Sequence, residues 1–285
     1  MWKWLAAALA LLDLAGCASK PDPNLRLEVA TYRSSEVSAH VNAHLIMGRR
    51  DALLVDTTMT LADAEILADW IDRTGRRLRT IFITNSQPDK YLGLPVIVER
   101  FPDARVVSTP EVVADIEARG PGYLERLRGR YGDQIATRLV VPEPVERDVL
   151  KLERVEIRIH RFSGGECPHA AVLIVPRMRA LFAGAVVFEG AHLFLGEHDI
   201  PGWRAHLDWI REQPDIDVIY PGHGAVTDLA ALDAMERYFD DFEMAVAWGD
   251  ADAAVVTMIE RYPDYDLERL LREYSVPAYL PPTER

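Results

Sequence analysis

The first part of the chain alternates between strand-like and helix-like spacings of its apolar residues. "LRLEVATYRS" and "HVNAHLIMG" have the spacing of strands, and "DALLVDTT", with its apolar residues in one run, predicts a more buried strand. "TLADAEILADWIDRTG" has apolar residues at helical spacing, with Thr60 and Asp63 as a capping pair and Gly75 as a stop signal. "LRTIFIT" is the next predicted strand.

Three further elements are predicted before the middle of the chain. Residues 91–101 have helical spacing, and "ARVVSTP" has that of a strand. The longer segment "PEVVADIEARGPGYLERLRGRYG" is helical but contains Gly-Pro-Gly at its centre. Proline lacks the N–H group that a helix interior needs, so this segment is predicted to form one broken helix or two helices.

The second half repeats the order of strands followed by helices. "VLKLERVEIRIHRFS", "AAVLIVP" and "ALFAGAVVF" are predicted strands, "PGWRAHLDWIREQP" is a helix, and "DVIYPGHG" is a final strand. After Asp228 the pattern is helical to the end. Two strand-rich halves, each with its own helices, predict an α/β protein in which two packed sheets lie between outer helices, a four-layer αββα sandwich with a helical C-terminal extension.

The composition of the chain indicates a globular protein, and its net charge argues against one class of binding partner, nucleic acids. The 285 residues are 49% hydrophobic, which is enough for a sizeable core. The formal net charge is −13 and the pI is near 5.1. Nucleic-acid binding depends on clustered Lys and Arg, so a nucleic-acid partner is not expected.

The N-terminal segment has the form of a secretory signal. One positive charge at Lys3 precedes a short apolar run, and "LAGC", ending at Cys17, resembles the lipobox of bacterial lipoproteins. The resemblance implies a signal peptide over residues 1–16, a lipid on Cys17 and a tether over residues 17–24. Ala18 after the cysteine implies the outer membrane, facing the periplasm. The alternative is an ordinary cleaved signal, and Asp13 in the apolar run counts against both versions.

Five motifs, in order, resemble the metallo-β-lactamase superfamily over residues 25–228, leaving 229–285 as the helical extension. They are "DALLVDTT", "IFITNSQPDKYLGL", "FSGGECPHAAVLIVP", "ALFAGAVVF" and "YPGHG". In that family a T-H-x-H-x-D-H motif, a further His, a Gly-Asp pair and a last His hold one or two zinc ions. The resemblance therefore implies the sandwich fold and a site where zinc activates a water molecule.

Most of the implied zinc ligands are replaced in this chain. Thr84, Asp89 and His223 match the motifs. The substituted positions are Asn85, Gln87 and Lys90 in place of histidines, Gly165 at the expected third His, where the loop leaves room for a shift of one residue, and Ala185 in place of the bridging Asp.

These replacements predict that no zinc or other cofactor is bound tightly. Carboxamides are poor zinc ligands, and a catalytic zinc normally has three protein ligands, whereas only Asp89 and His223 remain. The ammonium of Lys90 would also repel a metal ion. Either Lys90 replaces the ion within a network that includes Asn85 and Gln87, or Lys90 is solvated and the two amides are simply turn residues.

Four other residues are candidates for the same site. Glu166, Cys167 and His169 would complete an atypical single-metal centre with the two remaining ligands. Asp56 occupies a position that supports the metal loop in the family; otherwise it caps the turn into the next helix.

Three function classes follow. The first is a membrane-anchored pseudo-enzyme that binds a small molecule or a protein partner in the old cleft. The second is a mono-metal hydrolase of lactams, lactones, esters or thioesters that uses zinc at Asp89 and His223. The third is metal-free chemistry with Lys90 or His223 as base or nucleophile. The first is preferred because it requires no unseen ligand.

Overall fold

Residues 26–280 are described by a computed structural model of the protein. The predicted signal peptide, Cys17 and the tether lie outside these residues. Within residues 26–280, no helix is both long and apolar enough to cross a membrane.

The first sheet contains six strands in chain order, β1 to β6. They are β1 (Glu28–Arg33), β2 (Asn42–Met47), β3 (Asp51–Val55), β4 (Arg77–Phe82), β5 (Arg105–Ser108) and β6 (Glu143–Pro144). The first three pair antiparallel, and β3 to β6 pair in parallel. Parallel neighbours need crossover connections, which helices supply here.

The second sheet contains five strands in the order β11-β10-β9-β8-β7. They are β7 (Val149–Leu152), β8 (Val155–Ser163), β9 (His169–Val175), β10 (Ala180–Phe188) and β11 (Val218–His223). Only β10 and β11 pair in parallel. Both strands therefore end on the same edge of the sheet, and Phe188 lies opposite His223 in the register.

Nine α-helices surround the sheets in the described part of the chain. The first sheet carries α1 (Leu61–Arg73), α2 (Pro88–Tyr91), α3 (Leu94–Arg100) and α4 (Pro110–Tyr131), and α5 (Ile200–Arg211) connects β10 to β11. The C-terminal helices are α6 (Ala230–Val246), α7 (Ala251–Arg261), α8 (Glu268–Leu270) and α9 (Val276–Tyr279), with the π-helical turn Leu271–Ser275 between the last two. Most of the helix predicted over residues 91–101 is α3, and Tyr91 instead ends the short helix α2, which Gly93 separates from α3.

The predicted cap of α1 is present, but the predicted break in α4 is wrong. The Thr60 side chain accepts a hydrogen bond from the Asp63 N–H at the start of α1. Helix α4 continues through Pro121 without a break. Apolar residues on both sides of the proline hold the helix, since Val112 and Ile116 before it and Leu127 after it pack into one core cluster.

Three apolar layers hold four layers of structure together. A central core joins the sheets, with Leu53, Val55 and Phe82 from the first packed near Leu173 and Phe182 from the second. A second core lies between the first sheet and α1, α3 and α4. A third lies between the second sheet and α5, α6, α7 and the C-terminal turns. The predicted αββα sandwich is confirmed, and the C-terminal helices share its third core.

Candidate functional site

An open cleft of about 420 Å³ lies where several loops and strand ends meet. Gln87 and Asp89 follow β4, Glu166 lies between β8 and β9, and Phe188 and His223 end β10 and β11. The outer walls come from α4 and from the C-terminal helices. They are lined by Tyr123, Arg126, Leu127, Tyr131, Arg269, Leu270 and Tyr274.

Asp56 fixes the start of the loop that follows β4. Its carboxylate accepts hydrogen bonds from the Thr84 N–H at 2.8 Å and the Thr84 hydroxyl at 2.7 Å. Asp56 has φ of 60°, a left-handed conformation that Asp adopts more readily than most residues. Of its two expected roles, Asp56 therefore has the first: its side chain supports the loop that follows β4. Burial raises the pKa of this carboxyl to about 6, and Lys90 counteracts the rise.

Backbone contacts then position Lys90. Its carbonyl accepts hydrogen bonds from the N–H and the hydroxyl of Thr57, each at 2.8 Å. Three residues later, a Cβ on Gly93 would lie 2.7 Å from the Thr58 hydroxyl and 2.8 Å from the Thr58 carbonyl oxygen. Glycine is therefore required where α2 turns into α3.

The Lys90 ammonium lies between the two remaining family ligands. Its Nζ is 2.9 Å from Asp89 Oδ2 and 3.0 Å from His223 Nε2, and the side chain is fully buried. Lys90 is thus not a solvated residue at a helix start. The buried cation has both a negative charge and a neutral acceptor within reach, which offsets the cost of its desolvation.

The hydrogen bonds of His223 define its tautomer. Its Nδ1 lies 2.9 Å from the carbonyl oxygen of Ala39 and donates to it, so Nε2 carries the lone pair that accepts from Lys90. Burial, and then the charge of Lys90, lower the pKa of His223 to about 3. The ring also stacks on Phe188 at 4.5 Å between centroids. His223 is therefore neutral at physiological pH and bonds to Lys90 as an acceptor.

Asn85 connects the loop to Glu166 across the cleft floor. Asn85 Nδ2 donates to Glu166 Oε2 at 3.1 Å, and Asn85 Oδ1 accepts from the Gln87 N–H at 3.0 Å. Asn85 is thus a bridging residue rather than only a turn residue. The Gln87 side chain is 9% exposed, and its Nε2 is buried with no hydrogen-bond partner in the described residues.

Glu166, and not Gly165, is the residue of its loop that faces the cleft. Gly165 has φ of 80°, and a Cβ there would point away to α5, 2.9 Å from the His206 ring. The structure therefore places Glu166, one residue after the expected position of the third His at Gly165, on the lining of the cleft, within the shift of one residue that the loop allows. At the other substituted position, Ala185 is buried in β10 and offers no ligand atom.

Burial raises the pKa of the Glu166 carboxyl to about 8, although Lys90 partly opposes this. The side chain is therefore mostly protonated at neutral pH. The folded state keeps the proton over a pH range in which the unfolded chain has already lost it. Stability from this group is complete below the unfolded pKa and is lost as the pH rises toward 8.

Glu166→Gln should therefore become more stable than the parent as the pH increases. The glutamine mimics the neutral acid and still accepts from Asn85. We expect the difference in free energy of unfolding to grow between pH 5 and pH 8 and to reach at least about 2 kcal/mol at pH 9. Urea denaturation at several pH values measures it. A difference that is independent of pH would show that Glu166 is ionised in the folded protein.

Cys167 and His169, the other two sequence candidates, do not line the cleft. Cys167 Sγ donates to the His169 carbonyl, and burial raises the pKa of this thiol. The His169 ring instead meets Asp115 at 2.9 Å. In residues 26–280, no three His, Cys, Asp or Glu side chains are grouped so as to hold a metal ion.

The residues present do not fit the zinc site that the fold family implies. His223 Nε2 and Asp89 Oδ2, the atoms that would bind a metal, are both directed at Lys90 Nζ. The Asn85 amide and the Glu166 carboxyl bond to one another instead of turning their atoms toward an ion. A cation would have to displace an ammonium and break this pair.

Sequence reasoning missed the outer walls of the cleft. Tyr123 and Arg126 lie on α4, and Arg269 and Tyr274 lie in the C-terminal segment, far from any of the five motifs. Both arginines line the cleft, and within residues 26–280 neither has a carboxylate at ion-pair distance. Both are properties of the folded chain.

Residues 39–223, well over half of the chain, match the sequence model of the metallo-beta-lactamase superfamily. The chain therefore belongs to this superfamily. A curated relative, "Metallo-beta-lactamase type 2" of Bacteroides fragilis, is 23% identical over 196 residues, which are 64% of this chain and 68% of the relative.

Two solved structures show the same fold. A metallo-beta-lactamase family protein from Thermus thermophilus is similar at a TM-score of 0.64 and 18% identity, covering 89% of this chain and 91% of that protein. A metallo-beta-lactamase from Pontibacter korlensis is similar at a TM-score of 0.54 and 19% identity, covering 74% of this chain and 97% of that one. Likeness at this level of identity concerns the fold alone.

Proposed function

We propose that this protein is a metal-independent binding protein that holds a small molecule in the former active-site cleft. It is anchored in the bacterial envelope through a lipid on Cys17. The observation that carries the proposal is the buried Lys90 ammonium. It bonds to both of the retained ligand atoms, Asp89 Oδ2 and His223 Nε2. An internal cation replaces the metal charge and leaves the cleft itself open.

The cleft has the properties of a small-molecule site. Its volume of about 420 Å³ lies within the range of ligand pockets, roughly 300–1,000 Å³. Aromatic and aliphatic side chains form much of its lining, among them Met59, Leu127, Phe188 and Phe194. Gln87 adds an unpaired amide, and Glu166 adds a carboxyl that is mostly neutral. Apolar walls with a few directed polar groups favour binding of a compact organic molecule.

The proposal is tested with the neutral fluorescent probe N-phenyl-1-naphthylamine. Protein expressed with excess zinc should contain well below one zinc ion per chain by mass spectrometry. It should bind one probe molecule, with the same Kd before and after treatment with a chelator, because no metal shapes the cleft. Leu270→Trp, which places a larger side chain on the cleft wall, should weaken binding, whereas Val256→Trp on the exposed face of α7 should not.

Two results would contradict the proposal. One is a stoichiometric metal ion that is lost in Asp89→Ala or His223→Ala. The other is the absence of saturable probe binding by a folded protein. Hydrolysis of a chromogenic cephalosporin that required this metal would favour the mono-metal hydrolase instead.

A further inference from the structure

We propose that the ligand of this cleft is a small amphipathic anion, whose negative group binds at Arg126 and Arg269 while its apolar body enters the cleft. The inference rests on the proposed function and specifies the chemical class of the ligand. It uses one residue of α4 and one of α8, and α8 lies beyond the part of the chain that matches the superfamily.

The two arginines face the cleft without a carboxylate partner. Arg126 lies over the Tyr123 ring, 5.0 Å from its centroid, and Arg269 donates a short hydrogen bond to the Tyr131 hydroxyl. Within residues 26–280, neither guanidinium forms an ion pair. Each therefore keeps donor groups free for an anion.

Two neighbouring acidic groups, Glu197 and Glu273, are already bound by other arginines. Glu197 is bound by Arg119 at 2.7 Å. Glu273 is bound by Arg130 through two contacts of 2.8 and 3.0 Å. These pairs leave Arg126 and Arg269 without a carboxylate at ion-pair distance, although the charge of Arg269 contributes, after that of Arg130, to lowering the pKa of Glu273.

The inner carboxylates of the cleft do not cancel the two positive charges either. Asp89 is balanced by the ammonium of Lys90. The Glu166 carboxyl bonds to the amide of Asn85. Arg126 and Arg269 therefore place two positive charges on the lining of the cleft, in a chain whose formal net charge is −13. Such charges attract an anion and disfavour a cationic ligand.

The inner part of the cleft suits an apolar body with a hydrogen-bond acceptor. Phe188 and Phe194 present aromatic surface, and Met59 adds aliphatic surface. On the same lining, Gln87 has an amide donor without a partner among the described residues. Burying such a donor is unfavourable until it meets an acceptor, so a carbonyl or ether oxygen on the ligand body would add binding energy there.

Two probes that differ by one charged group test the ligand class. 1-Anilinonaphthalene-8-sulfonate is N-phenyl-1-naphthylamine with one added sulfonate. We expect the parent protein to bind one sulfonate probe per chain with a Kd about tenfold or more below that of the neutral probe, because charge-assisted bonds stabilise the complex. Titrations in the same buffer measure both constants by fluorescence.

Substitutions then assign the preference to the two arginines. Arg126→Gln with Arg269→Gln should raise the Kd of the sulfonate probe about tenfold and leave that of the neutral probe unchanged. Tyr131→Phe removes the hydroxyl bound to Arg269 but keeps the charge, so it should retain most of the preference. Arg158→Gln, an exposed arginine of β8 that does not line the cleft, should change neither constant.

The outcomes separate the two proposals. If the neutral probe binds and the sulfonate probe binds no more tightly, the ligand class is wrong and the proposed function stands. The ligand class is also wrong if the arginine variants weaken both probes equally. If a folded protein binds neither probe, the proposed function itself fails.

Discussion

Lys90→Met is expected to lower the free energy of unfolding by about 3–5 kcal/mol, as removal of one partner from a buried ion pair typically does. The ammonium is fully buried and contacts Asp89 Oδ2 and His223 Nε2. Its removal leaves the Asp89 carboxylate without a cation, and the His223 lone pair loses its donor. Urea denaturation at neutral pH measures the loss.

A double variant separates the ion pair from simple packing. Asp89→Asn with Lys90→Met removes both charges, so it should cost less than the sum of the two single changes. Arg158→Gln is the surface control, because its ion pair is exposed and 3.8 Å long. Its effect should be close to zero. A loss below about 1 kcal/mol in Lys90→Met would contradict the role of Lys90 as the internal cation.

The pKa of the His223 imidazole is a second quantity to measure in Lys90→Met. Burial and the Lys90 charge both lower its pKa to about 3 in the parent. In Lys90→Met the charge is gone and Asp89 remains, so the pKa of His223 should rise. An NMR titration of the imidazole detects this shift.

Restoring the family ligands should create a zinc site that the parent lacks. The variant combines Asn85→His, Gln87→His, Lys90→His, Glu166→His and Ala185→Asp. Together with Asp89 and His223 these side chains would supply two sets of imidazole and carboxylate ligands. We expect at least one zinc ion per chain with a Kd of about 1 μM or tighter, since three or more such ligands suffice for zinc.

A matched variant tests which loop residue faces the site. It carries Gly165→His in place of Glu166→His and is otherwise the same. Gly165 has φ of 80°, and its Cβ would meet the His206 ring at 2.9 Å. This variant should be less stable and should bind zinc at least about tenfold more weakly, since it lacks one imidazole. Equal or tighter binding by the Gly165 variant would show that the third His belongs at Gly165 after all.

The sequence predicted the elements of the fold well because their signals are local. Apolar periodicity located the strands that form the two sheets, and the Thr60 and Asp63 pair located the start of α1. The sequence wrongly predicted a break at Pro121, because packing on both sides of this proline holds α4 together. Local propensity cannot include contacts that are formed with distant residues.

The sequence by itself also determined which family ligands are replaced, because motif spacing is a property of the chain. Only the tertiary structure decided what the replacements do. Whether Lys90 is solvated or buried depends on His223, which lies 133 residues away. Whether Gly165 or Glu166 faces the cleft depends on a positive φ and on contact with α5. The charge of the cleft likewise depends on which arginines already have partners, and these pairings join residues that are far apart in sequence.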